Sequence, residues 1–101
     1  MNITVQELKN KLDAREDFIF IDVREPYEYE EFNIGATLIP LGEIPEAITE
    51  MQDRKENEIV VHCRSGARSG RAQQFMLAEG FSNVLNLQGG IMAWQETYGA
   101  E

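Results

Sequence analysis

The chain carries one thiol and one imidazole, and they are adjacent, in Val60-Val61-His62-Cys63-Arg64-Ser65-Gly66-Ala67-Arg68-Ser69-Gly70-Arg71. Three of the nine basic residues fall within eight positions of this stretch, and Ile59 to Ala78 contains no Asp or Glu although the chain has a formal charge of -9. A thiol attacks as the thiolate, and an ordinary Cys with a pKa of about 8.5 is only a few per cent ionised at neutral pH. Three features favour the anion here: the guanidinium groups of Arg64 and Arg68, the positive end of the helix that should follow, and the backbone N–H groups of a Gly-containing loop. Ser65, Gly66 and Ala67 are small enough to let those amides turn inward, and the hydroxyls of Ser65 and Ser69 add possible donors. Such a loop is an anion-binding bowl around the sulfur.

Positioning that bowl requires a strand before it and a helix after it. Ile59 to His62 is an apolar, β-branched run, and a helix is predicted from about Arg68 to Glu79, ended by Gly80. Elsewhere, Thr4-Val5-Gln6-Glu7 matches a capping box, with Ile3 and Leu8 as its staple, so a first helix should begin at Val5. Phe18 to Val23 reads as a strand buried on both faces of a parallel sheet, interrupted by Asp22. A loop at Arg24 and Glu25 leads into a short acidic helix with Pro26 in its first turn. Ala36 to Ile39 is a brief strand, Pro45 to about Asp53 a helix, Val84 to Leu87 a strand, Gln88-Gly89-Gly90 a tight turn, and Ile91 to about Tyr98 a closing helix with Trp94 inward. Strand and helix alternate with short connections, which predicts an α/β domain on a mainly parallel sheet with helices on both faces. In such a sheet the strand C-terminal ends share one edge. Asp22, Arg24, the Cys63 loop and the Gln88-Gly89-Gly90 turn all follow strands there and can converge.

The 101 residues, 43% of them apolar, suit one ordinary domain with a core of its own. A lone Cys forms no internal disulfide and supplies no Cys-rich zinc site. No stretch reaches the roughly 18 apolar residues of a membrane span, and the first residues lack a basic, apolar leader pattern. A cytoplasmic protein is expected, since a free thiol fits a reducing compartment. The acidic balance argues against nucleic-acid or anionic-membrane binding.

Cys63-Arg64-Ser65-Gly66-Ala67-Arg68-Ser69 resembles the active-site loop of the rhodanese family of sulfurtransferases. Further markers are similar and occur in the family's order: Ile21-Asp22-Val23-Arg24-Glu25 with Glu28 and Tyr29, Gly35-Ala36 with Ile39-Pro40, and Leu87-Gln88-Gly89-Gly90 with Trp94. The resemblance implies a three-layer domain over residues 1–101 with a five-stranded, mainly parallel sheet. It also implies a ping-pong reaction in which Cys63 takes the sulfane sulfur of thiosulfate, releases sulfite and holds a persulfide. Cyanide or a thiol acceptor, such as glutathione, thioredoxin or a partner protein, then removes the sulfur, with no metal or organic cofactor. Residues Arg64 to Ser69 would bind substrate and persulfide. By the same resemblance Arg68 would pair with Asp22 as a brace for the loop. The family usually has a His near Asn33, in a slightly longer segment before Gly35-Ala36. Its loss predicts altered access rather than loss of sulfur transfer.

The bland readings are weighed beside these. Arg64 either contacts an anionic donor or is merely solvated, and Arg24 either braces the sheet edge or faces solvent. Arg68 at a helix start is unfavourable for the macrodipole and demands a specific partner. An unpaired Asp22 at the end of a buried strand would cost several kcal/mol, so it too should be paired. His62 should point away from Cys63, because strand side chains alternate, which favours a structural role over a general base. Arg71 should be solvated, and Trp94 and Phe75 should be core. Two competing functions remain. Cys-based phosphatases and arsenate reductases place five residues between Cys and Arg; here there are four, and the residue one further on is Ser69. The other is a non-catalytic or persulfide-carrier module acting through protein partners. Among donors, 3-mercaptopyruvate competes with thiosulfate, and the basic loop tilts the choice toward thiosulfate.

Overall fold

A computed structural model describes residues 1–99. The strands are β1 (Asn2–Ile3), β2 (Ile19–Asp22), β3 (Thr37–Leu38), β4 (Ile59–His62) and β5 (Val84–Leu87). The α-helices are α1 (Val5–Asp13), α2 (Pro26–Glu31), α3 (Ile44–Ala47), α4 (Ala67–Ala78) and α5 (Gly90–Tyr98). All strand pairs are parallel, in the order β1-β5-β4-β2-β3. This is the five-stranded α/β architecture expected, and it puts Cys63 directly after the central strand. β4 is buried at all four positions, which is why its sequence is continuously apolar up to His62.

Strand alternation divides the core into two layers. On one face Ile21, Val23, Ile59, Val61, Cys63 and Val84 pack with Ile44 and Ile48 of the α3 region and Ala72 and Met76 of α4. On the other, Val60 and Leu87 pack with Val5 and Leu8 of α1 and Trp94 of α5. The N-terminus follows the capping prediction: Glu7 N–H donates to Thr4 Oγ1 (3.1 Å), and Thr4 N–H donates to Glu7 Oε1 (2.8 Å). Ile3 and Leu8 are buried beside it.

Several elements differ from expectation. The strand read at Ala36 to Ile39 is reduced to Thr37–Leu38. The helix read from Pro45 to Asp53 is only one α-helical turn, Ile44–Ala47, flanked by 3-10 turns at Leu41–Glu43, Ile48–Glu50 and Gln52–Arg54. Side chains there take backbone carbonyls for themselves, Thr49 Oγ1 donating to Glu46 O (2.6 Å) and Gln52 Nε2 to Ile48 O (2.8 Å). Phe75 is not core: it is 37% exposed. The buried stripe of α4 is Ser69, Ala72, Gln73 and Met76, at spacings of three and four, and Phe75 lies just off it. β1, with two residues, has no sequence signature of its own. It is held by Gln88 N–H to Ile3 O (2.8 Å) and by the buried amide of Gln73, which donates to Met1 O.

Candidate active site

Cys63 leaves β4 and its side chain is buried on the α4 face. Two amides donate to its sulfur, Gly66 N–H at 3.1 Å and Ser69 N–H at 3.4 Å, and the Ser69 hydroxyl oxygen lies within hydrogen-bond reach of it at 3.3 Å. The loop can curl this tightly because Gly66 has φ +112°, a conformation that L side chains rarely adopt, and it starts α4 immediately afterwards. The amides at the head of α4 therefore face the sulfur. Burial pushes the Cys63 thiol up, but the Ser69 hydroxyl and the N–H groups of Ser69, Gly66 and Ser65 outweigh it and leave the pKa below its ordinary value. Of the three contributions expected together, the oriented hydrogen-bond donors are the ones that lower the thiol here.

A second wall of the loop comes from α5. Ile91 N–H donates to Cys63 O (2.9 Å) and Met92 N–H to Arg64 O (3.0 Å), so the free amides of one helix start fix the carbonyls of the Cys63 loop. Gly90 makes this approach possible: a Cβ there would lie 2.5 Å from both carbonyl oxygens. A third support was not singled out from the sequence. Asn86 of β5 accepts from Ser69 Oγ at Oδ1 (2.6 Å) and donates from Nδ2 to Gly66 O (3.1 Å). Its type and its place near a strand end gave no signal until β5 was set beside β4.

Asp22 and Arg68 are both paired, but not with each other. The Asp22 carboxylate accepts from Arg24 Nε (3.0 and 3.1 Å), Arg24 Nη2 (2.8 Å) and Arg24 N–H (3.0 Å). Arg24 is itself 4% exposed and also donates to Phe32 O (2.7 Å), so it braces the sheet edge. Two residues apart, the pair closes on itself and leaves Asp22 no need of Arg68. Arg68 instead makes a two-pronged bond to Glu28 of α2, Nη1 to Oε1 at 2.7 Å and Nη2 to Oε2 at 2.9 Å. The Arg68 guanidinium holds the Glu28 carboxyl at about 2, against burial, with help from the Glu25 N–H.

His62 points into the opposite layer, its ring 5.4 Å from that of Phe20. Burial pushes its pKa down, partly offset by Asp22, whose Oδ2 lies 3.6 Å from Nε2. Arg64 and Ser65 are exposed, and Arg64 lines a cleft of about 290 Å³ with Tyr27, Glu28, Phe32 and Met92. Arg71 is exposed, and neither it nor Arg64 forms a salt bridge among the described residues. Asn33 occupies a surface turn, donating to Tyr29 O (3.0 Å) and accepting from Gly35 N–H (3.0 Å). Among the described residues no group of three or more His, Cys, Asp or Glu side chains could hold a metal ion.

Residues 4–97 match the family model of the rhodanese-like domain. The chain belongs to the rhodanese family. A sulfurtransferase of Allochromatium vinosum is 38% identical over 93 residues, which are 91% of this chain and 85% of that protein. The putative sulfur carrier protein YrkF of Bacillus subtilis is also 38% identical over 93 residues, but the matched region is 49% of its length. The crystal structure of a rhodanese-like domain protein from Staphylococcus aureus superposes with a TM-score of 0.83 at 33% identity, covering 93% of this chain and 91% of that one. Within this rhodanese, no helix of the described residues is long and apolar enough to cross a membrane.

Proposed function

We propose that this rhodanese is a thiosulfate sulfurtransferase whose nucleophile is Cys63. The supporting observation is the sulfur's position against the Gly66 and Ser69 amides, with four residues between Cys63 and the Arg68 that closes the loop. The Cys63 thiolate attacks the sulfane sulfur of thiosulfate. A sulfur–sulfur bond to Cys63 forms, the bond to the sulfonate sulfur breaks, and its electron pair leaves as sulfite. The persulfide anion is then held by the same donors. Cyanide or an acceptor thiolate attacks the outer sulfur and returns Cys63 as thiolate, so each step is one displacement with a stabilised anion leaving. Arg64, exposed on the cleft and without an ion-pair partner among the described residues, attracts the anionic donor. Arg68, Asp22 and Arg24 hold the scaffold, and Ser65, Gly66, Ala67 and Ser69 shape the bowl. A thiol that must cycle fits a reducing, cytoplasmic setting.

Thiocyanate formation from thiosulfate and cyanide tests the reading. The wild-type protein turns over and Cys63→Ser does not. Arg64→Ala raises KM for thiosulfate roughly tenfold, the effect of losing about one charge-assisted contact. Full turnover by Cys63→Ser would sink the mechanism. Likeness to a protein named as a putative sulfur carrier favours a second reading, in which the persulfide passes to a partner protein or thiol such as glutathione or thioredoxin. That version loads sulfur on Cys63 but transfers it slowly to cyanide and quickly to the thiol.

A further inference from the structure

Ser69 has one hydroxyl hydrogen and two acceptors in reach, Asn86 Oδ1 at 2.6 Å and Cys63 Sγ at 3.3 Å. The orientation of Asn86 is fixed from its other end. Gly66 O can only accept, so the Asn86 amino group faces it and Oδ1 faces Ser69. Oδ1 can only accept in turn, so the Ser69 proton lies on the short bond to Asn86. The Ser69 oxygen then offers Cys63 only lone pairs, which suit the S–H of a thiol and repel a thiolate. Gly66 closes a ring, its N–H on the sulfur and its carbonyl on Asn86.

We infer that Asn86 is a positioning residue that sets the proton of Ser69, which turns from Asn86 Oδ1 to the Cys63 sulfur when that sulfur becomes an anion. The Cys63 proton goes to solvent, and the Ser69 proton only rotates about its own oxygen. Each thiolate state therefore breaks the Ser69–Asn86 bond, and the thiol state restores it. Persulfide formation has the same effect as protonation, because the inner sulfur loses its charge to the outer one and no longer draws the hydroxyl. Asn86 thus opposes the free thiolate relative to both other states, while its bond to Gly66 keeps the loop amides in place. The charged groups nearest the loop are Arg64 of the loop itself and Arg68 of α4, which is paired with Glu28 of α2, while Asp22 at the end of β2 is held by Arg24 and lies beside His62. Among the described residues none of them hydrogen-bonds to Asn86 or Ser69, so Asn86 reaches the sulfur through Ser69 or through Gly66.

The catalytic consequence rests on the proposed sulfur transfer, but the test does not. Cys63 is the sole thiol, so the ultraviolet absorbance of the thiolate titrates it alone in the intact protein. Asn86→Ala frees the hydroxyl for sulfur, and the Cys63 pKa falls by roughly half to one unit, the size of one neutral hydrogen bond. In a Ser69→Ala background the same substitution no longer lowers the pKa, and a rise there reads the loss of the Gly66 bond alone. A pKa that stays or rises in Asn86→Ala, or a fall that persists without the Ser69 hydroxyl, overturns the inference. A second measurement needs no change at Asn86. Its side-chain amide resonances should titrate with Cys63 in the wild-type protein and cease to do so in Ser69→Ala; resonances that do not move with pH contradict it. A protein that passes these tests yet transfers no sulfur would refute the sulfurtransferase reading alone.

Discussion

The sulfur of Cys63 meets donors supplied from within six positions of it, at Gly66 and Ser69. This is the most legible part of the molecule: a Cys between a β-branched run and a Gly-containing helix start is local information. The sign of its pH dependence follows. The thiolate is the reactive form, and the donors hold the pKa below its ordinary value, so single-turnover sulfur loading should rise with pH and level off earlier than for a free thiol. In Ser69→Ala the rising limb should move up by roughly half to one unit; stopped-flow loading at a series of pH values measures it, and an unmoved limb would remove the Ser69 hydroxyl, though not its backbone N–H, from the groups that favour the thiolate. The partner of Arg68 was less legible. Asp22 and Glu28 are both acids near the same edge, and the choice turns on Arg24 reaching back two residues to fill Asp22 first. Asn86 was illegible, because its role exists only once β5 lies beside β4.

At the scale of elements, α2, α4 and α5 converge on the loop by different devices. Glu28 ties α2 to α4. Its carboxyl, pulled down from 4.5 to about 2 by Arg68, contributes stability that is full above the unfolded value and lost as pH falls toward the folded one. The stability gap between wild type and Glu28→Gln should therefore close between pH 4.5 and about 2 in urea titrations. A gap that is constant through that window would mean the bridge adds nothing. For α5 the device is close approach. Gly90→Ala places a Cβ against two loop carbonyls at a φ of +58° and should destabilise the fold by at least about 1 kcal/mol while slowing loading. Chemical unfolding and loading rates together check it; an Ala tolerated in both would show that the α5 contact is slack. Sequence periodicity recovered α1, α4 and α5 closely. It failed at Pro45 to Asp53, where Thr49 and Gln52 hydrogen-bond to carbonyls that a regular helix would use.

For the molecule as a whole, the order β1-β5-β4-β2-β3 is what lets residues more than sixty positions apart meet around one central strand end. Alternation predicted parallel strands on a sheet covered on both sides, and the resemblance supplied the fifth strand, which two residues at the N-terminus could not announce. The same burial that makes β4 central traps His62 in its neutral form. Unfolded, His62 takes up a proton near 6.5 and the folded protein resists it, so stability should fall as pH drops below 6.5. The slope from this one group is at most about 1.4 kcal/mol per pH unit. Urea unfolding of wild type and His62→Leu compares them directly, and an equal slope in both would place the dependence elsewhere. The central claim is that the single thiol carries sulfur through a covalent intermediate. Mass spectrometry of the intact protein after exposure to thiosulfate tests that most directly. One added sulfur atom localised to Cys63, removed by cyanide and absent in Cys63→Ser, is the predicted result; an unchanged mass in the folded wild-type protein would contradict it.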